Sequence, residues 1–73
     1  MIIDPQKIVK ILYKNYRGEI SYRDILPGKM WFGATDWHKE EQWLLEAHDI
    51  EKAALRNFAI KDIQKWIDQV SEA

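Results

Sequence analysis

The sequence contains no cysteine. That excludes a disulfide framework, a thiolate zinc site and a cysteine nucleophile. It also fits a reducing cytosol better than secretion, so a cytoplasmic location is expected. No apolar run exceeds three residues, as in "ILY", "MWF" and "WLL", and so neither a membrane span nor a signal-peptide core is expected. The three glycines are scattered at 18, 28 and 33, which rules out a glycine-rich phosphate loop. Neither serine, Ser21 or Ser71, has a companion base at a suggestive spacing. His38 and His48 are the only histidines, the one side-chain type whose ordinary pKa lies near neutrality. His38 stands beside Asp36, Glu40 and Glu41 in "DWHKEE", but this spacing matches no metal-ligand motif. The expectation is a non-enzymatic protein with no cofactor and no metal.

Aromatic residues, by contrast, are plentiful: four Trp, three Tyr and two Phe in 73 residues. A chain this short forms one domain, residues 1–73, and buries only about 60% of the surface its unfolded form exposes. Large rings are a way to make so small a core dense. The net charge of −1 argues against generic, charge-driven binding to nucleic acid. It conceals an asymmetry, however. Residues 1–35 carry six basic groups against three acidic, and residues 36–73 carry five basic against nine acidic. The N-terminal half can therefore present a local basic patch.

Residues 7–15, "KIVKILYKN", alternate Val9, Ile11 and Tyr13 with Lys10, Leu12 and Lys14, which reads as a strand. A helix starting at Asp4–Pro5 is the rival reading of residues 4–13. The strand is preferred because "NYRGE" follows at once, and Gly18 suits a hairpin turn. "EISYRDIL" is a second strand, ended by Pro27–Gly28, and "KMWFG" is a short third one. "ATDWHKE" is a loop, "QWLLEAHD" a fourth strand and "LRNFAI" a fifth. Ile63, Trp66, Ile67 and Val70 are then spaced i, i+3, i+4, i+7, predicting an amphipathic helix over residues 62–72. The predicted class is mainly β: a small five-stranded antiparallel barrel, strands within residues 7–60, closed by one C-terminal α-helix.

In the fourth strand, Trp43, Leu45 and Ala47 fall on one face and are assigned to the core. Leu44, Glu46 and His48 fall on the other, where a site would lie. Arg23 and Arg56 sit mid-strand among apolar neighbours. A guanidinium there offers a planar fork of donors to phosphate or carboxylate, and aromatic neighbours suit stacking on bases. The alternative for each arginine is a surface pair with a carboxylate such as Asp24 or Glu46.

The ordered set Gly18, Glu19, Arg23, Pro27, Trp43, Leu45, Ala47, Arg56, Phe58 and Ile63 resembles the WYL domain family, over roughly residues 8–63. The short length is similar to that of small bacterial and phage members. The resemblance implies a five-stranded Sm-like or SH3-like barrel used as a sensory module. Some members bind single-stranded nucleic acid or nucleotide-type ligands through a basic groove. This chain departs from the pattern at Leu44, in place of the family's middle Tyr, and at Asp62, where many members carry a second Arg. The 73 residues leave no room for a DNA-binding domain beside the module, so direct transcription control by this chain alone is not expected. Together these readings predict a WYL-like binding module with Arg23, Leu44, His48 and Arg56 as ligand-contacting residues. Its expected partner is single-stranded nucleic acid or a nucleotide, with no membrane involvement. A protein-binding adaptor that exposes Tyr16, Trp31 and Trp37, or a structural subunit, is the alternative.

Overall fold

The computed structural model describes residues 7–68. Five strands follow one another: β1 (Val9–Lys14), β2 (Ile20–Gly33), β3 (Gln42–Asp49), β4 (Ala54–Ala59) and β5 (Ile63–Asp68), with a 3-10 turn at Ile60–Asp62 before β5. They form one sheet in the order β4-β3-β2-β1-β5. Every neighbouring pair is antiparallel.

The first hairpin is set by local chemistry. The Asn15 side-chain oxygen accepts the backbone N–H groups of Arg17 (2.9 Å) and Glu19 (3.0 Å), closing an Asx-type turn. Gly18 takes a φ of +82°, a conformation that side chains with a Cβ resist. The chain then returns as β2, which is 14 residues long and runs straight through Pro27–Gly28. Pro27 does not end the strand, because the register against β3 shifts between Pro27 and Lys29. A bulge at this point is where a ladder can tolerate proline. Gly28 is needed there for space: a Cβ on it would lie 2.8 Å from the Glu46 carbonyl oxygen. The predicted second and third strands are thus one bulged strand.

The predicted C-terminal helix is overturned. Residues 63–68 are β5, paired along the outer edge of β1, while residues 69–72 lie outside the described residues. A bulge explains the misleading spacing. Tyr13 pairs with Ile63 but Leu12 with Lys65, so one extra residue is inserted in β5. Residues opposite one another in an antiparallel pair share a face. Ile63 and Trp66, opposite Tyr13 and Ile11, therefore share a side although they are three residues apart, and an i, i+3 spacing results without a helix. Ladder bonds to β1 and the β-favouring Ile63, Trp66 and Ile67 decide the outcome over helical periodicity. The closed barrel is overturned with the helix: β4 and β5 are the two edges of one open sheet.

The sheet is nonetheless strongly curled. Val9, Ile11, Tyr13, Ile25, Leu45, Ala47 and Phe58 form the buried core on its concave side, with Ile60 and Ile63 packed against them. Although two strands lie between β1 and β4 in the sheet, the Tyr13 and Phe58 rings meet edge-to-face at 5.0 Å between centroids. The Tyr13 hydroxyl accepts the Ala59 backbone N–H at 2.9 Å. Each fully buried side chain of this size stabilises the fold by about 1.5–3 kcal/mol, and the Tyr13–Phe58 contact adds a directional component.

Two core assignments are corrected. Leu45 and Ala47 are buried as expected, but Trp43, at the far end of the same face, is 55% exposed beside Phe32. The concave core does not extend that far along β3. Leu44, assigned to an open face, is completely buried. It sits between Trp31 and Ala59 in the register, and the Trp31 indole reaches across β3 to donate to Asn57 Oδ1 at 2.8 Å.

Candidate ligand-binding site

Because the sheet curls without closing, a gap remains between the β1–β2 hairpin and β4. It forms a cleft of about 570 Å³, within the range of clefts that hold one small ligand. Tyr13 and Phe58 of the core form its floor. The hairpin contributes Tyr16, Arg17 and Arg23, the β2–β3 loop contributes Trp37 and His38, and the far wall holds Lys52 and Arg56.

Arg23 and Arg56, 33 positions apart in the chain, are thus brought to one cavity. Their circumstances differ. Arg23 is largely buried, and its Nη1 lies 3.3 Å from Oδ2 of Asp49, the one fully buried charged residue among those described. The other Asp49 oxygen accepts the Lys52 backbone N–H at 3.2 Å. This carboxylate fixes both the guanidinium and the β3–β4 turn. Neither sequence-level partner, Asp24 or Glu46, is used: Asp24 pairs with Lys10 instead. Arg56 faces the same side as Ala47, is exposed, and among the described residues makes no ion pair or side-chain hydrogen bond. Its donors are available to a ligand.

The rest of the lining strengthens the positive character. Four cationic side chains, Arg17, Arg23, Lys52 and Arg56, line the cleft against the single carboxylate of Glu19. Glu19 already accepts a hydrogen bond from Asn15 at 3.1 Å. A concave, basic surface on a chain of net charge −1 concentrates the local field where a small anion would enter. At the rim, Tyr16 and Trp37 are 72% and 76% exposed, and their rings approach to 6.0 Å at a tilt of 36°. Arg17 caps this pair, donating to the Tyr16 hydroxyl at 3.2 Å.

The loop that carries Trp37 is held in place by its own backbone. Thr35 and His38 exchange two main-chain hydrogen bonds, and the Thr35 hydroxyl accepts the N–H groups of Trp37 and His38. His38 Nε2 lies 3.2 Å from the Asn57 carbonyl oxygen, tying the loop to β4. His38 is therefore a latch between elements. Among the described residues no three His, Asp or Glu side chains converge to hold a metal ion. Burial raises the Tyr13 hydroxyl above its usual pKa, so the floor stays neutral at physiological pH.

Of the four residues singled out from the sequence, Arg23 and Arg56 meet in the cleft and the other two do not. Leu44 is buried, and His48 lies on the reverse face of β3, opposite Leu26 and Leu55. The residues missed, above all Lys52, sit in turns. No strand periodicity marks them, and only the curl of the sheet brings them to the cleft. Of the three tryptophan and tyrosine side chains named for an adaptor surface, Tyr16 and Trp37 are exposed, whereas Trp31 is partly buried and bonded to Asn57. No helix among the described residues is long and apolar enough to cross a membrane. No protein-family model, curated protein or solved structure matches the chain.

Proposed function

We propose that the protein is a non-enzymatic binding module of the WYL kind, working in the cytoplasm, whose ligand is a nucleotide or single-stranded nucleic acid. The observation that carries this reading is the convergence of Arg23 and Arg56, with Arg17 and Lys52, on a cleft floored and rimmed by Tyr13, Phe58, Tyr16 and Trp37. Guanidinium groups beside exposed aromatic faces match the two halves of a nucleotide, an anion and a planar ring. Leu44 removes the strand tyrosine that the family resemblance would use, and the exposed rings at the cleft rim take its place in this reading.

The test is an NMR titration with short mixed single-stranded DNA and RNA, at low and at physiological salt. Saturable shifts at Arg23, Arg56 and Trp37 that persist at physiological salt are the expected result, with affinity lowered in Arg56→Ala. Diffuse shifts on Lys10 and Lys14 that vanish with salt would sink the proposal. A peptide-binding adaptor is the second reading, favoured by the exposure of Tyr16 and Trp37. Four cations in the same cleft weigh against a generic apolar or proline-rich peptide.

A further inference from the structure

The cleft is lined by two kinds of group. Tyr16 and Trp37 are an aromatic pair at the rim, approached by Arg17. Arg23 is paired with Asp49, whose other oxygen holds the Lys52 backbone N–H, and Arg56 stands on the wall of β4. The floor is closed by Tyr13 and Phe58, both buried. We infer that the cleft holds a single nucleotide unit, its base stacked on the Tyr16–Trp37 pair and its phosphate bound by Arg56. This rests on the nucleotide reading above and adds to it a size, an orientation and a division of labour.

Size follows from volume. A cavity of about 570 Å³ is one small-ligand site, whereas grooves that track a strand engage roughly four or more nucleotides. Orientation follows from the two kinds of group, a ring pair for a base and the Arg56 guanidinium, unpaired among the described residues, for a phosphate. A planar ring between two others needs about 7–8 Å, two carbon–carbon contacts of about 3.5–4 Å each. The Tyr16–Trp37 spacing of 6.0 Å falls just short. Both rings are exposed enough to part by the difference, or to accept the base on an outer face. The division of labour follows from pairing: Asp49 already offsets the charge of Arg23, and Arg17 is engaged with the Tyr16 hydroxyl and ring, so Arg56 presents the guanidinium with no side-chain partner among the described residues.

Indole and guanidinium NMR titrations with adenosine, adenosine 5′-monophosphate, inorganic phosphate and a hexadeoxynucleotide with or without a 5′-phosphate test the inference. The monophosphate should shift both the Trp37 indole and Arg56, and should bind at least tenfold more tightly than adenosine or phosphate. Trp37→Ala should weaken it roughly five- to 150-fold, the range expected for one stacked base. The 5′-phosphorylated hexamer should match the monophosphate within a few-fold if a free nucleotide is the ligand. It should exceed the monophosphate only through its terminal phosphate if a strand end is the ligand. An unphosphorylated hexamer that binds a hundredfold more tightly than the monophosphate, with shifts running beyond the cleft, overturns the single-unit site. Shifts at Arg56 that are unchanged by Trp37→Ala overturn the stacking pair while leaving the nucleotide reading intact. Silence of all cleft residues with every probe removes the nucleotide reading itself. The exposed positions of Trp37 and Arg56 keep the variants folded.

Discussion

The floor and the rim of the cleft are built on opposite terms. At the floor Tyr13 and Phe58 are buried, as is Asp49, the partner of Arg23, and each polar atom is committed to another part of the fold: the Tyr13 hydroxyl to Ala59, and the Asp49 oxygens to Arg23 and Lys52. At the rim, Tyr16, Trp37 and Arg56 are exposed and hold little of the structure together. The floor therefore belongs to stability and the rim to recognition. Arg23 stands between them, with one side in each. The same substitution made at floor and at rim should give very different results, and those differences are measurable.

Phe58→Ala is expected to have the largest effect. It removes a side chain that is only 2% exposed and leaves Tyr13 without its edge-to-face partner. The expected loss is about 3–5 kcal/mol, read by urea denaturation; in a domain this small that approaches the whole stability. A loss below about 1 kcal/mol would mean the sheet does not curl enough to bring β1 against β4. Arg23→Ala comes next, at about 3 kcal/mol, because it strands the buried Asp49 carboxylate without its cation. The double variant Arg23→Ala/Asp49→Ala should recover part of that loss, since no lone buried charge remains. Failure to recover any would show that the pair does not act as a unit.

Tyr13→Phe is a smaller and more informative change. It deprives the Ala59 N–H of its acceptor at an expected cost of about 1–2 kcal/mol at neutral pH. The pH dependence has a definite sign. Burial raises the Tyr13 pKa in the folded state, so the fold favours the protonated phenol. That contribution is fully present below the unfolded value of about 10. It is lost as pH rises from there through the higher folded value. The stability difference between the parent protein and Tyr13→Phe should accordingly be flat below about pH 9 and shrink above it. A difference that stays constant to pH 11 would place the hydroxyl in water.

The regular strands were legible because nothing interrupts their alternation. Val9, Ile11 and Tyr13 lie inward at every second residue, as do Leu45 and Ala47. The bulged strands were not. Gly28 inserts a residue in β2 and looks like the end of a strand; the extra residue between Ile63 and Lys65 gives β5 the spacing of a helix. Both misreadings have one cause: a bulge resets the two-residue period, and its position depends on the partner strand rather than on local sequence. The arginines were recognisable from their place among apolar residues, but their meeting was not. It depends on a curl that joins β1 to β4 across two intervening strands, and the anchoring partner, Asp49, lies 26 residues from Arg23.

The smallest effect on stability is the one that most sharply separates floor from rim. Arg56 faces the same cleft as Arg23 and carries the same group, yet it is exposed and unpaired among the described residues. Arg56→Ala should change stability by no more than about 0.5 kcal/mol. The contrast with Arg23→Ala is then a factor of about six in free energy from two arginines lining one cavity. Chemical denaturation of both variants under identical conditions measures it directly. Equal losses would mean that Arg56 has a structural partner and is not held ready for a ligand, and the distinction between the two parts of the cleft would collapse.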